Sequence, residues 1–249
     1  MSTKPGWEEP MTQRPPHTRY LKQVKATPQT PVKSTGLYVL KKSGGNKKLG
    51  KGRITKGPFR GMPLYALTLP ERSTCWTGCQ NWNRCYGDNM GLAPRYAPTP
   101  ELPDALTKDI HYLQGKHPEG FVVRLHVLGD FYSTEYVAHW HKLVSDYPAL
   151  RIFGYTHWPQ STEIGWAVQQ LVLDYSGRVS ILRSDADGDP EDVLARAMTV
   201  ERDGEAAPGT VLCPEMTGKT ASCVTCGLCM NGRTSVSFPD HSRQLAVSV

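Results

Sequence analysis

Three cysteines stand close together in the stretch LPERSTCWTGCQNWNRCYGDNM, residues 69–90. They are Cys75, Cys79 and Cys85, in the pattern C-x3-C-x5-C. Three thiolates are one too few for a closed tetrahedral zinc site. An iron–sulfur cubane held by only three thiolates keeps one iron open to a substrate or cofactor, by the logic that separates catalytic from structural metal sites. We therefore predict an open 4Fe-4S cluster on these three cysteines.

The other four cysteines form a second group, near the C-terminus, in the pattern C-P-x8-C-x2-C-x2-C. Zinc sites usually pair two C-x2-C units that lie far apart. Three cysteines two residues apart, completed by a remote Cys-Pro, are typical of the ferredoxin wrap around a cubane. We predict a closed 4Fe-4S cluster, with zinc as the alternative metal, that staples the tail or relays electrons. Its ligands would be Cys213, Cys223, Cys226 and Cys229.

Strand and helix patterns alternate between the two cysteine groups. Apolar runs predict core strands at 63–69, 121–130, 151–158 and 178–187, and apolar residues at helical spacing predict helices at 99–115, 133–148, 161–177 and 189–198. Such alternation indicates an α/β fold, which we predict to be a partial (β/α) barrel of mostly parallel strands. We expect a flexible basic leader (1–35), an α/β core with the first cluster (36–199) and a small cysteine-cluster tail packed on the core (200–249).

Polar residues follow each predicted core strand, at the edge where ligands bind in such folds. Strand alternation would place Arg124, His126 and Asp130 on one face, which is the lumen of a barrel. We predict catalytic roles for these three residues. The predicted cofactor-binding residues are Tyr86, Gly129, Asp130, Thr156, Ser184 and Asp185.

Each of these roles has a structural alternative. Asp130 could cap the helix that begins near residue 133, and His126 could be a buried histidine with satisfied hydrogen bonds. Asp185 could belong to a solvated loop. Tyr155 and Trp158 could stack on a base or adenine, or pack in the core.

The positive charge is concentrated at the N-terminal end. Residues 1–60 contain 14 Lys and Arg but two acids, whereas the whole chain has a net charge of +6, so residues 61–249 carry −6. The densest stretch is KKSGGNKKLGKGRITKGPFR, Lys41–Arg60. Its glycines among lysines suit a loop that cradles phosphates, although the Walker A spacing is absent. This stretch could bind nucleic acid or a nucleotide, or it could be a solvated basic segment.

The composition excludes several classes of protein. With 39% hydrophobic and 21% charged residues, the chain resembles an ordinary globular protein. No apolar run approaches the roughly 18 residues of a membrane helix, and the N-terminus lacks the apolar core of a signal peptide. We expect a cytoplasmic protein with no membrane partner, in which reducing conditions disfavour disulfides and cysteines bind metal or do chemistry.

The first cysteine group resembles that of radical S-adenosylmethionine enzymes. Tyr86 places an aromatic ring next to the third cysteine, and Leu128-Gly129-Asp130 ends a strand much as the Gly-Gly-Glu element of that class does. The resemblance implies that the open iron is chelated by the amino and carboxyl groups of S-adenosylmethionine, and that Gly129–Asp130 receives the amino group. The spacing departs from that class, where it is C-x3-C-x2-C.

A broader resemblance covers residues 40–245. The segments GNKKLGKG, LP…C…C…CYG, RLHVLGDFYSTEYVAHW, FGYTHW and CP…SCVTCGLC together resemble the phage gene-product-88 domain family. This resemblance implies a phage or prophage source, hence the host cytoplasm, and an iron–sulfur protein, without implying a reaction.

The leading functional hypothesis is therefore a radical S-adenosylmethionine-like enzyme. It would act on a nucleotide or nucleic-acid-related substrate and would need an electron donor. One alternative is a non-catalytic iron–sulfur or zinc protein that binds nucleic acid through Lys41–Arg60. Another is a redox relay with two clusters.

Overall fold

The computed structural model describes residues 24–25, 27–185 and 191–240. Most of the predicted leader lies outside the described residues, as does the segment 186–190. No helix in the described ranges is long and apolar enough to cross a membrane.

Strands and helices alternate through the centre of the chain, as the sequence predicts. The strands are β1 (Val24–Lys25), β2 (Lys41–Lys42), β3 (Leu64–Ala66), β4 (Arg95–Tyr96), β5 (Phe121–Leu125), β6 (Leu150–Thr156), β7 (Val179–Ser184), β8 (Arg196–Val200), β9 (Val211–Leu212) and β10 (Val236–Pro239). The helices are α1 (Leu102–Lys116), α2 (Thr134–Asp146), α3 (Glu163–Asp174) and α4 (Cys223–Cys226). Short 3-10 turns fill much of the first cysteine loop, at Trp82–Arg84 and Tyr86–Asn89.

Eight of these strands form one mixed sheet, in the order β2-β3-β5-β6-β7-β8-β10-β9. The β2–β3 pair is antiparallel, and every other pair in this sheet is parallel. The prediction of an α/β fold with mostly parallel strands is confirmed. The partial barrel is not confirmed, because β2 and β9 lie at opposite edges and the sheet stays open.

Helices α1, α2 and α3 cover one face of the sheet. Leu106, Ile110 and Leu113 of α1 are fully buried, which agrees with their spacing on one helical face. Helix α2 begins at the predicted cap, where Ser133 Oγ accepts a hydrogen bond from the backbone N–H of Tyr136 at 3.2 Å. These helices and the strands beneath them form the largest apolar cluster of the molecule.

The opposite face of the sheet carries irregular chain instead of helices. The segment 41–60 and the C-terminal cysteine turns lie there and share an apolar cluster with the strands. That cluster contains Leu49, Ile54 and Phe59 from the segment, Val224 and Met230 from the tail, and Leu64, Val122 and Phe153 from the sheet. Because the strands are buried on both faces, their sequences are nearly continuous apolar runs.

A buried carboxylate in α1 binds the three residues that precede β2. Asp109 is fully buried, and its two oxygens accept hydrogen bonds of 2.6–2.9 Å from the backbone N–H groups of Tyr38, Val39 and Leu40. Charge-assisted hydrogen bonds of this kind offset the energetic cost of burying an ionised carboxylate. Asp109 therefore fixes where the chain enters the sheet at β2.

The prediction of a helix at 189–198 is wrong over its described part. Residues 196–200 form β8 instead, which pairs with β7 on one side and β10 on the other. Arg183 N–H donates to the Ala195 carbonyl and Asp185 N–H donates to the Ala197 carbonyl, each at 2.9 Å. If residues 196–200 were helical, backbone N–H and C=O groups of β7 would lack hydrogen-bond partners. Pairing with two neighbouring strands therefore outweighs the local helix propensity of this sequence.

Candidate functional site

The first cysteine loop leaves the sheet after β3 and is fixed by a buried ion pair. Arg95 Nε lies 2.5 Å from Oε2 of Glu71, and a second guanidinium nitrogen lies 2.7 Å from Oε1. Their side chains are 1% and 2% exposed. Arg95 also donates to the carbonyls of Gly87, Met90 and Ala93. The pair thus joins the two ends of the loop. Sequence analysis missed it, because Glu71 and Arg95 are 24 residues apart and follow no motif.

The three thiols of this loop lie within electrostatic range of one another. Burial raises the pKa of Cys75 well above its usual value, and the negative charges of Asp130, Cys85 and Cys79 raise it further. Burial likewise raises the pKa of Cys85 to about 11. Thiolates at these positions would repel one another, and metal ligation is what deprotonates such thiols outright. The loop is therefore suited to a cationic group shared by its three sulfurs.

The turn that follows β5 packs closely against this loop at Gly129. Gly129 has φ +80°, and a Cβ there would lie 2.6 Å from Thr74 Oγ1 and 2.7 Å from Leu69 Cβ. The next amide, Asp130 N–H, donates to Thr74 Oγ1 at 3.2 Å. Only glycine combines this left-handed backbone with so close an approach. The predicted Gly-Asp element therefore lies directly against the residue that precedes Cys75.

Asp130 joins the ends of two core strands. Its Oδ1 accepts from Phe131 N–H at 2.7 Å, and its Oδ2 accepts from His157 N–H at 2.8 Å. The side chain is buried, and burial raises its pKa to about 6 against the lowering effect of these bonds and of the Thr156 hydroxyl. Asp130 and Thr156, both predicted site residues, are thus brought together at the carboxyl edge of the sheet.

His157 stands between the first cysteine group and Asp185. Its Nε2 lies 3.6 Å from Asp185 Oδ2. Burial alone would lower the pKa of His157, but interactions with Asp185 and the Cys79 thiol outweigh burial and raise it to about 10. Sequence analysis gave His157 no role. Its contact with Cys79 makes it part of the site.

Asp185 ties the cysteine loop to β8. Its carboxylate accepts from Thr199 N–H at 2.6 Å, from Thr199 Oγ1 at 2.9 Å and from Asn81 Nδ2 at 3.1 Å. The side chain is 7% exposed, so the alternative of a solvated loop does not apply. The neighbouring Ser184 is half-buried and pairs with Ala197 in the β7–β8 ladder. Asp185 therefore links the part of the loop between Cys79 and Cys85, where Asn81 lies, to Thr199 of β8.

Arg124 and His126 do not share a face, contrary to the prediction from alternation. Strand β5 ends at Leu125, and the chain then turns so that Val127 packs in the cluster beneath the tail. His126 points towards α2, where Nε2 lies 3.0 Å from Tyr136 Oη and the ring packs 5.0 Å from that of Phe131. Burial, helped by the charge of Arg124, lowers the pKa of His126 to about 3, so this histidine is neutral.

Arg124 lies between the two cysteine groups. Its guanidinium sits 4.4 Å from the ring centroid of Tyr155 and 5.4 Å from that of Phe153. Its charge acts on Tyr86, beside the first group, and in the second group it partly opposes the burial that raises the pKa values of Cys223 and Cys229. Arg124 therefore occupies a position from which one cation influences both groups.

Tyr86, next to Cys85, connects the first cysteine loop to the turn after β5. Its hydroxyl donates to the carbonyl of Val127. Burial is the main cause that raises the pKa of this hydroxyl, and the charge of Arg124 opposes it. Tyr86 is therefore a neutral hydrogen-bond donor that faces Arg124 from the side of Cys85.

The four tail cysteines form the second group, on the sheet face opposite the helices. Burial raises the pKa of Cys223 to about 12 and that of Cys229 to about 11, with repulsion among the tail sulfurs adding to it. The Tyr155 hydroxyl makes a hydrogen bond with the Cys229 thiol. Cys213 is buried in an adjoining apolar cluster with Leu182 and Val236.

Electrostatic interactions connect Cys75 with Cys79 and Cys85, and connect Cys229 with Cys213, Cys223 and Cys226. Within the ranges that the structure describes, no three His, Cys, Asp or Glu side chains are placed to hold a single metal ion. A cubane makes a different demand, because each of its thiolates binds a different iron. Cys213 is buried and the other six cysteines are half-buried, and cysteine thiolates are the usual ligands of iron–sulfur clusters.

A family model described as gene product 88 matches residues 38–232. The chain belongs to this family. The match takes in the basic segment, both cysteine groups and every strand of the eight-stranded sheet except β10, and it confirms the family resemblance found in the sequence.

Two curated phage proteins are similar to the chain. The Gene 88 protein of Mycobacterium phage D29 is 33% identical over 134 residues, and the Gene 88 protein of Mycobacterium phage L5 is 30% identical over 135 residues. Each alignment covers 46% of this chain and 53% of the relative, so the chain spans about half the length of the curated relatives it matches. No solved structure matches the chain.

Proposed function

We propose that this chain is an iron–sulfur protein with two 4Fe-4S clusters that works as a radical S-adenosylmethionine-like enzyme in the host cytoplasm. The open cluster is held by Cys75, Cys79 and Cys85. The closed cluster is held by the four tail cysteines, for which zinc is the alternative. The proposed substrate is a nucleotide or a nucleic-acid component.

One observation carries this proposal. The three-cysteine loop stands at the carboxyl edge of parallel strands, where α/β proteins bind their ligands. The loop is fixed from three sides: by the Glu71–Arg95 pair, by Gly129 in the turn after β5 and by Asp185 directly after β7. Rigid support of this kind is what a reactive metal group requires.

The residues of this edge supply binding and shielding. Cys75, Cys79 and Cys85 would hold the open cluster, which would supply one-electron reductive cleavage of S-adenosylmethionine with an electron from an external donor. Asp130 is suited to receive the cofactor's amino group, because its carboxylate has about four lone pairs and the bonds from Phe131, His157 and Thr156 leave one of them open. Tyr86, Gly129, Thr156, Ser184 and Asp185 are proposed to contribute to binding of the same cofactor.

The four-cysteine group is proposed to pass electrons to the open cluster. Tyr155 touches Cys229 of that group, and Arg124 stacks on Tyr155 while its charge reaches Tyr86 beside Cys85. The same line of residues would serve a protein that only relays electrons, which is one alternative to the enzyme.

Anaerobic incubation with dithionite and S-adenosylmethionine tests the enzyme directly. The purified protein should release 5′-deoxyadenosine and methionine, and the Cys79→Ser variant should release neither. Two intact clusters without cofactor cleavage or binding would contradict the enzyme and favour the relay.

A second candidate function, nucleic-acid binding without catalysis, is favoured by the segment Lys41–Arg60. Between Glu9 and Glu71 the sequence has no acidic residue, and the structure leaves most cations of this segment exposed. Affinity for DNA or RNA should fall steeply with salt if these cations contact phosphates. Absent or salt-independent binding would contradict this candidate.

A further inference from the structure

The basic segment, residues 41–60, is folded onto the tail turn, residues 222–229. Three backbone hydrogen bonds of 2.8–3.1 Å join them: Cys223 N–H to Lys48 O, Val224 N–H to Leu49 O, and Thr55 N–H to Val224 O. All three involve the proposed metal ligand Cys223 or its immediate neighbour Val224 on the tail turn. The conformation of the basic segment is therefore built on the tail turn.

Two glycines of the basic segment make the contact close. A Cβ at Gly50 would lie 2.3 Å from Ser222 Oγ, and a Cβ at Gly57 would lie 3.0 Å from the Gly227 carbonyl oxygen. Both glycines have positive φ, +86° and +79°. On the other side, a Cβ at Gly227 would lie 2.3 Å from the Lys56 carbonyl oxygen. Gly50, one of the glycines that suggested a phosphate-cradling loop, instead serves this contact with the tail turn, as does Gly57.

The cations of the basic segment point away from the contact. Lys42, Lys47, Lys51, Lys56 and Arg60 are exposed. Lys48 differs, since it is half-buried with its Nζ 5.2 Å from the ring of Phe238. The segment thus has one face on the tail turn and one positively charged face in solvent.

The partner that fits the charged face is a phosphate backbone. The segment holds eight Lys and Arg and no acid. Its aromatic residue, Phe59, is 2% exposed and offers no stacking surface for single-stranded bases. Charge without exposed aromatic rings favours the closely spaced phosphates of a duplex over an unpaired strand.

We propose that metal bound by the tail cysteines fixes the basic segment as a surface for duplex DNA, so that DNA affinity depends on the tail metal centre. This inference rests on the proposed metal site in the tail and adds its regulatory role. Loss of the centre frees residues 222–229 to unfold, and the lysines then lose their common orientation. An ordered set of cations binds phosphates more tightly than the same cations on a mobile segment, because less ordering entropy is lost.

The test compares metal-loaded and chelator-stripped full-length protein for binding to a 20-base-pair duplex of arbitrary sequence, by fluorescence anisotropy at two salt concentrations. We expect at least tenfold weaker binding after stripping. The variant Lys47→Gln/Lys51→Gln/Lys56→Gln should weaken the loaded protein to a similar extent and reduce the salt slope by about three. The matched control, Lys108→Gln/Lys116→Gln/Lys142→Gln, removes three exposed charges from α1 and α2 and should leave affinity within about twofold.

The outcomes separate this inference from the proposed function. Metal analysis of the same samples reports on the tail site itself, and a protein that binds no metal there contradicts both. Equal affinity of loaded and stripped protein overturns the regulation while leaving the clusters in place. Stronger binding to a single strand of the same length than to the duplex, or no DNA binding by metal-loaded protein, also overturns the inference.

Discussion

At the scale of single residues, the site depends on contacts that have no sequence signature. Glu71 and Arg95 pair in the interior, Asp130 spans two strand ends, and Asp185 reaches the cysteine loop from β7. Cysteine spacing could predict which thiols belong together. It could not predict the ion pair that shapes the loop, because a pairing between residues 71 and 95 is set by how the loop closes in three dimensions.

Removing one partner of the buried pair should be costly. In Glu71→Gln the Arg95 guanidinium stays buried without its counter-charge, which we expect to lower the free energy of unfolding by about 3–5 kcal/mol. Asp88→Asn is the matched control, since Asp88 pairs with Arg72 at 2.7 Å but is 41% exposed, and such pairs contribute about 0.2–1 kcal/mol. Urea denaturation measures both. Equal losses would contradict the role given to Glu71.

Gly129 should tolerate no side chain. Gly129→Ala introduces a left-handed alanine, at about 1–2 kcal/mol, and a clash with Thr74 and Leu69 in the first cysteine loop. Gly177→Ala is the control, because Gly177 has φ +87° but open space around it. Thermal unfolding and iron analysis should show a larger stability loss, and lost iron, for the first variant alone. Similar behaviour of the two variants would argue against the close approach.

His126 should make stability depend on pH. Its pKa is lowered to about 3 in the folded protein, against an unfolded value near 6.5, so the unfolded state binds more protons between these values. Stability gained from the neutral histidine is present above pH 6.5 and is lost as the pH falls towards 3. In His126→Gln this contribution disappears, and the free energy of unfolding should fall less steeply below pH 6.5. An unchanged slope would show that His126 is not buried as described.

At the scale of elements, periodicity predicted what local sequence determines. The faces of α1 and α2 and the cap at Ser133 follow from side-chain spacing and hydrogen-bonding chemistry. Strand β8 could not be predicted in this way, because the sequence before and within it has the pattern of a helix start. Its extended form depends on pairing with β7 and β10. The faces of residues 124 and 126 were also misassigned, because alternation holds only while a strand lasts and β5 ends at Leu125.

The contact between the basic segment and the tail turn can be tested by glycine replacement. Gly50→Ala forces a Cβ into Ser222 and Val224, whereas Gly52→Ala, at similar φ, meets open space. We expect Gly50→Ala to increase amide hydrogen exchange in residues 222–229 by more than tenfold and Gly52→Ala to leave it near the wild-type rate. Mass spectrometry of exchanged peptides measures this. Unchanged exchange in Gly50→Ala would contradict the packing.

At the scale of the whole molecule, the two faces of the sheet are covered by different kinds of structure. Helices α1 to α3 bury one face as the α/β pattern predicts, while the basic segment and the cysteine tail bury the other. The sequence indicated an α/β sheet and two cysteine groups. It did not indicate that β10, from the tail, would insert between β8 and β9, because parallel pairing between distant segments has no local pattern.

The central claim is that two separate iron–sulfur clusters occupy the three-cysteine and four-cysteine groups. Iron and acid-labile sulfide, counted per chain after anaerobic purification, test it most directly. We expect about eight of each in the wild type and about four in both Cys79→Ser and Cys226→Ser, because each variant should lose one cubane. Stoichiometric zinc without sulfide, or a Cys79→Ser variant that keeps all the iron, would contradict the account.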